Sequence, residues 1–146
     1  MSDTQLAKPK WTRRKKVIVA AVAIVLLISV PIFAHLFWEI HKAGQVFSAF
    51  NQALIAREYQ KAYDLTTPAL KANVTYEAFV GVQNGLATRV GALRSFNSGK
   101  SEVNEDEDGS FATIHAHLTF ERGELPFVFV LKKENGHWLI YKFQEL

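Results

Sequence analysis

The sequence predicts an α+β protein: an N-terminal transmembrane helix, then a cone-shaped domain of three helices packed on a curled antiparallel sheet of four to five strands. Three observations predict this. An uncharged apolar run lies near the N-terminus, helix-spaced apolar residues follow it, and after Gly91 the apolar period changes toward two. The chain accordingly divides into a basic tail at 1–16, a membrane segment at 17–38 and an α+β domain at 43–146.

The membrane segment contains no Asp, Glu, Lys or Arg over its 22 residues. As a helix it would reach about 33 Å, enough for a hydrocarbon core of about 30 Å. Trp11 and Trp38 bracket it, as indoles do at membrane interfaces. A retained span is favoured over a cleaved signal peptide, because cleavable apolar regions are shorter and Ile32 occupies a position where a small residue is preferred.

The charge of the chain is concentrated in its tail. Residues 1–16 carry six basic side chains against one acidic, a net charge of +5, whereas residues 17–146 carry 11 basic and 13 acidic, a net charge of −2. Basic residues directly before a span favour a cytoplasmic N-terminus, and the domain beyond 38 is then periplasmic or extracellular. The domain offers no basic face for nucleic acid. The residues predicted at the bilayer interface are Trp11, Arg13, Arg14, Lys15, Lys16 and Trp38.

Helical periodicity resumes directly after the apolar run. Residues 43–57 place apolar side chains at spacings of four, three and four, and a short helix follows at 59–65. Thr67 and Pro68 predict a further turn, as cap and first helical residue. Thr75 is predicted to cap the next helix.

After Gly91, apolar and polar residues alternate as they do in β-strands. Glycine-bearing pairs at Asp108-Gly109, Arg122-Gly123 and Asn135-Gly136 separate the apolar segments and predict hairpins of an antiparallel meander. The strand candidates are 92–98, 100–107, 110–121, 125–134 and 137–145.

The segment 126–131 (PFVFVL) is apolar on both faces of its strand. The helices can cover only one face of the sheet, so the other face needs a second subunit, a partner protein or the membrane surface. The neighbouring strand adds two histidines on its more polar face. The residues predicted to form an association surface are Phe127, Phe129, Leu131, His115 and His117.

His115 and His117 are also the strongest metal candidates, because residues i and i+2 of a strand face the same side. A zinc site usually needs three or four protein ligands. His137 or Glu121 could be the third, but the spacing of these residues requires neither. No metal site, cofactor or catalytic residue is therefore assigned. The chain has no cysteine, no glycine-rich phosphate loop and no Gly-x-Ser-x-Gly elbow.

Three segments carry a resemblance to a known family: IAREYQKAYDLTTPALKANVTYEAFVGVQ, GALRSF and NGHWLIYKFQEL. Their order over residues 43–146 resembles the nuclear transport factor 2-like (cystatin-like cone) superfamily, in particular its small membrane-anchored bacterial members. The resemblance implies a bacterial inner-membrane location. The residues that carry the resemblance are packing positions, which support the fold and say little about chemistry. They are Tyr59, Ala62, Tyr63, Phe79 and Trp138.

Two functions follow from this resemblance. Anchored members include the assembly component of type IV secretion systems, which implies a non-catalytic interaction module, an accessory or assembly subunit that binds a second copy or another membrane-complex subunit. Superfamily enzymes use a cone pocket with an inward Asp, which implies a small-molecule binder or enzyme near Tyr59, Tyr63 and Asp64. The residues alone favour Asp64 as a helix-surface side chain.

Overall fold

The computed structural model describes residues 13–146, and all their side chains except those of Arg13, Arg14 and Lys16. The predictions for Trp11 and for those three side chains therefore lie outside the described residues. The chain divides into two compact units between Leu36 and Phe37. The described helices are α1 (Arg13–Ile55), α2 (Tyr59–Asp64), α3 (Pro68–Asn73) and α4 (Tyr76–Val90), and the strands are β1 (Leu93–Asp106), β2 (Gly109–Phe120), β3 (Gly123–Glu134) and β4 (His137–Glu145).

The predicted apolar helix is present as part of α1, which is long and apolar enough to cross a membrane by length and composition. None of its most apolar stretch is buried within the protein, and Leu27 and Phe33 are 75% and 70% exposed. A core helix of a soluble protein would bury such side chains.

The second part of α1 belongs to the folded domain, and its apolar side packs into the core. Ala43, Phe47, Phe50 and Leu54 are all buried there, at the spacing read from the sequence. The predicted helix at 43–57 is thus confirmed, as the C-terminal part of one continuous helix.

Both predicted threonine caps are confirmed. The Thr67 hydroxyl accepts a hydrogen bond from the Leu70 amide, and the Thr75 hydroxyl accepts one from the Ala78 amide, each at 3.2 Å. Each cap satisfies one of the amides that a helix start leaves unpaired. The turn predicted at Pro68 is α3, so four helices rather than three precede the sheet.

The sheet is an antiparallel meander in the order β1-β2-β3-β4. The first two predicted strands are one strand, because β1 continues through a register shift between Ser98 and Ser101. A bulge of this kind adds residues to one strand without ending the pairing.

The third hairpin turns where the sequence predicts. Asn135 and Gly136 have φ values of 51° and 81°, and two positive φ angles are the requirement of a type I′ turn. The first two hairpins turn one residue earlier than predicted, and Gly109 and Gly123 pair as the opening residues of the next strands.

Gly91 allows α4 to pass directly into the sheet. Its φ is +86°, and a Cβ atom at this position would lie 2.6 Å from the Cβ of Glu121. The Glu121 carboxylate accepts a hydrogen bond from the Ala92 amide at 3.2 Å and pairs with Arg94. A side chain at position 91 would displace Glu121 from this site.

The core lies between the helices and one face of the sheet, and Phe129 is at its centre. Its ring centroid lies 4.9 Å from that of Phe47, 6.1 Å from that of Phe50 and 6.0 Å from that of Phe143. Aromatic pairs at these distances contribute stability beyond the apolar area that they bury.

Candidate functional site

The strand residues predicted to form an association surface lie on the covered face of the sheet. Phe127, Phe129 and Leu131 are only 6%, 1% and 0% exposed, because the helices pack against them. The prediction that these three residues form a surface is therefore wrong. The apolar character of both faces of β3 is real, but Val128 and Val130 are the residues on the uncovered side.

The register of the sheet shows which side chains share that uncovered side. His115 pairs with Val128 and Thr113 pairs with Val130, and directly paired residues point to the same face. Phe111 and Tyr141 extend this side, with their ring centroids 5.9 Å apart. We call it the outer face. Its principal residues are Phe111, His115, His117, Val128, Val130 and Tyr141.

Charged side chains flank the apolar centre of the outer face. Glu102 lies on β1 and pairs in register with Thr113, whereas Lys142 lies on β4 and pairs with Val130. A hydrogen bond from Lys100 is the largest influence on Glu102 and lowers the pKa of its carboxyl, so Glu102 is ionised at neutral pH. The outer face therefore carries the Lys100–Glu102 ion pair at its β1 edge and the positive charge of Lys142 at its β4 edge.

His115 and His117 both lie on the outer face, as predicted, and both are exposed. The Nδ1 atom of His117 lies 2.9 Å from a carboxylate oxygen of Glu124. Among residues 13–146 there is no group of three or more His, Cys, Asp or Glu side chains that could hold one metal ion. The structure thus brings the two histidines to one face without bringing His137 or Glu121 to them.

Tyr63 and Asp64 do not form the predicted pocket cluster. The Tyr63 hydroxyl donates a hydrogen bond of 2.7 Å to the carbonyl of Val74, which holds the ring against Phe79. Asp64 is exposed on α2 and accepts a hydrogen bond of 2.9 Å from Gln60. The expectation of an inward Asp is therefore wrong, and the interpretation of Asp64 as a helix-surface residue is confirmed.

A cavity of about 400 Å³ does lie inside the domain, between the end of α1, α4 and the sheet. Tyr59 lines it, unlike Tyr63 and Asp64. Half of its described lining residues are Phe or Leu, and this lining includes no Asp, Glu, His or Cys. The cavity walls thus supply no carboxylate or imidazole for general acid–base catalysis.

Glu39 forms a buried polar cluster that the sequence did not predict. The residue is 6% exposed, and its carboxylate accepts a hydrogen bond of 2.9 Å from the Trp138 indole and lies 2.9 Å from the Lys133 ammonium. The Lys133 hydrogen bond holds the pKa of Glu39 below its usual value, against the opposite effect of burial. In the sequence Glu39 is only the first charge after the apolar run.

Trp38, the residue before Glu39, is 56% exposed. The Lys42 ammonium lies over its ring, 5.4 Å from the centroid, and the His41 ring lies 6.5 Å away. This arrangement suits the predicted contact with lipid headgroups, where Trp and basic side chains concentrate. Lys15, at the other end of the apolar run, is also exposed.

The fold, an antiparallel sheet with helices on one face, is shared with solved structures. A protein from Catenulispora acidiphila, solved at 2.5 Å, is similar with a TM-score of 0.53 and 16% identity over 73% of this chain and 88% of that one. Aln2 from a Streptomyces species, solved at 1.8 Å, is similar with a TM-score of 0.50 and 10% identity over 71% and 86%. At these identities the likeness shows the fold alone. No protein-family model and no curated protein matches the sequence.

Proposed function

We propose that this protein is a non-catalytic, membrane-anchored association module, an accessory or assembly subunit of a membrane protein complex. In this proposal α1 crosses a bacterial inner membrane with the N-terminus in the cytoplasm, and the domain lies in the periplasm or outside the cell. The resemblance to the nuclear transport factor 2-like superfamily and the charge of residues 1–16 support this arrangement.

The observation that carries the proposal is the outer face. Tyr141 is exposed, and Phe111, Val128 and Val130 are half-buried, on a side of the sheet that the described helices leave uncovered. An apolar patch rimmed by charged residues is typical of a protein–protein interface.

A second copy of the chain is the partner that the charge pattern favours. Glu102, Thr113, Val130 and Lys142 lie in one row across the four strands. If two sheets face each other around a twofold axis parallel to the strands, the order of strands is reversed in the second copy. Glu102 of each copy, which pairs with Lys100 of its own chain, then also lies over Lys142 of the other copy, so two opposite charges meet on each side of the axis.

Co-purification of two differently tagged full-length copies from membranes tests this proposal. We expect the wild-type copies to co-purify and Val130→Glu to abolish this, because a buried, unpaired carboxylate is costly. Val82→Glu is the matched control, since Val82 is a 57% exposed valine on α4, one of the helices that pack on the opposite side of the sheet from the outer face.

The charge row provides the sharper test. Glu102→Lys or Lys142→Glu alone should weaken self-association, because each places like charges opposite each other. The double variant should restore it. Self-association that persists in Val130→Glu, or that the double variant fails to restore, would contradict the proposed geometry. Recovery of a different protein in place of a second copy would indicate hetero-association.

A further inference from the structure

We propose that the cavity of the domain binds an amphipathic monoanion, an apolar chain or ring that carries one carboxylate. The apolar part would occupy the cavity, and the carboxylate would pair with Arg57 at its mouth. This site is separate from the outer face, so it adds a ligand to the proposed association module rather than depending on it.

The cavity has the size and walls of a site for an apolar ligand. Its volume is about 400 Å³, and small-molecule sites commonly measure about 300–1,000 Å³ with mostly apolar walls and a few polar groups. Phe50 and Leu54 of α1 and Leu118 and Phe120 of β2 are among its wall residues. Water gains few hydrogen bonds from such walls, so an apolar group is the favoured occupant.

Exposed polar residues mark the opening. Arg57, Asn84 and Thr88 line the cavity and are exposed to solvent. Arg57 is the only charged residue of this described lining, and it is a cation. A ligand that fills the cavity and ends at the opening would therefore meet a positive charge beside neutral hydrogen-bonding groups.

No described acidic side chain neutralises Arg57. Its guanidinium makes no hydrogen bond or ion pair among residues 13–146, and the adjacent Glu58 pairs with Lys61 at 3.0 Å. Glu121, which lies close to the lining residue Gly91, is paired with Arg94. The guanidinium thus remains available for a carboxylate, which it can bind through two parallel hydrogen bonds.

The backbone of Arg57 supplies an independent argument. Its φ is +59°, and α1 ends there in a Schellman motif, with the Glu58 amide bonded to the Ala53 carbonyl at 2.8 Å and the Arg57 amide to Leu54 at 3.1 Å. Glycine is the usual residue at this position because it adopts positive φ without strain. Arginine at this position costs conformational energy that glycine would avoid, and the turn itself does not need an arginine. The residue does place a positive charge in the cavity lining.

Calorimetric titration of the full-length chain in lipid nanodiscs with decanoate tests the proposal, with decanol as the neutral probe of equal chain length. Empty nanodiscs correct for partitioning into lipid. We expect one saturable decanoate site per chain and weaker binding of decanol. Arg57→Gln should weaken decanoate binding about three- to fivefold, as expected for a partly exposed ion pair, and should leave decanol binding unchanged.

A second variant tests the location of the apolar part. Ala87 lines the cavity from α4, so Ala87→Trp should fill it and remove the binding of both probes. Arg57 is exposed, so Arg57→Gln keeps the test valid if Ala87→Trp prevents folding. Decanoate heats equal to those of empty nanodiscs would overturn the proposal, and so would an Arg57→Gln variant that binds decanoate as tightly as the wild type.

Discussion

The Trp138 indole donates a hydrogen bond of 2.9 Å to the carboxylate of Glu39, a residue 99 positions earlier in the chain. The Lys133 ammonium contacts the same carboxylate at 2.9 Å. Glu39 directly follows the apolar run, whereas Trp138 and Lys133 lie on the last two strands. The cluster therefore links the first charged residue of the domain to the β3–β4 hairpin.

Replacing Glu39 should destabilise the domain in a pH-dependent way. The folded-state pKa of Glu39 is lowered from the usual 4.5, so its ionised form stabilises the fold above about pH 4.5, and this contribution is lost as the pH falls through the lowered value. We expect Glu39→Gln to lower the free energy of unfolding by about 1–3 kcal/mol at pH 7. The difference from the wild type should shrink below about pH 4.

Urea titration of the full-length chain in detergent, followed by tryptophan fluorescence at about pH 7 and about pH 3.5, measures this difference. Glu107→Gln is the control, because Glu107 lies exposed in the β1–β2 turn. An equal loss of stability at the two pH values would show that the Glu39 charge contributes nothing.

Local patterns predicted the elements of this fold well. Thr67 and Thr75 cap helices because their hydroxyls reach amides only three residues ahead, and Asn135-Gly136 turns because both residues tolerate positive φ. These preferences depend only on residues that are close together in the chain, so they can be predicted from the sequence alone.

The face of β3 could not be predicted in the same way. Alternation places Phe127 and Val128 on opposite sides, but it does not say which side the helices cover. The register supplies the answer, because Phe127 pairs with Ala116 of β2, which is buried under the helices. Val128 and Val130 therefore lie on the outer face.

The candidate sites were harder still, because their members come from distant segments. Glu39, Lys133 and Trp138 meet only when the domain part of α1 packs on the sheet. Conversely, Tyr63 and Asp64 are neighbours in sequence but point to different surroundings, the Val74 carbonyl and the Gln60 side chain. Proximity along the chain was therefore a poor guide to a shared site.

Asn51 should be a position where a substitution stabilises the protein. It is fully buried, its Nδ2 atom donates to the Phe47 carbonyl at 2.9 Å, and its Oδ1 atom has no hydrogen-bond partner among the described residues. A buried acceptor without a partner costs about 1–3 kcal/mol. Leucine has a similar shape and no acceptor, so we expect Asn51→Leu to raise the free energy of unfolding by about 1 kcal/mol.

The chain contains a matched control for this measurement. Asn73 donates to the Ala69 carbonyl at 2.9 Å in the same i to i−4 pattern, but it is exposed. Asn73→Leu should change the free energy of unfolding by less than about 0.5 kcal/mol. A loss of stability in Asn51→Leu would instead indicate that the Oδ1 atom is hydrogen-bonded in solution through a buried water.

The proposed membrane orientation can be measured because the chain has no cysteine of its own. Single variants Ala69→Cys, at an exposed position on α3, and Ser2→Cys, in the basic tail, place one thiol on each side of the apolar run. With a membrane-impermeant maleimide, we expect Ala69→Cys to react in intact spheroplasts and Ser2→Cys to react only after lysis, since basic residues before a span are retained in the cytoplasm. The reverse pattern would contradict the proposed topology. A Ser2→Cys chain that stays unlabelled after lysis, while Ala69→Cys reacts, would show instead that the apolar run is removed as a signal peptide.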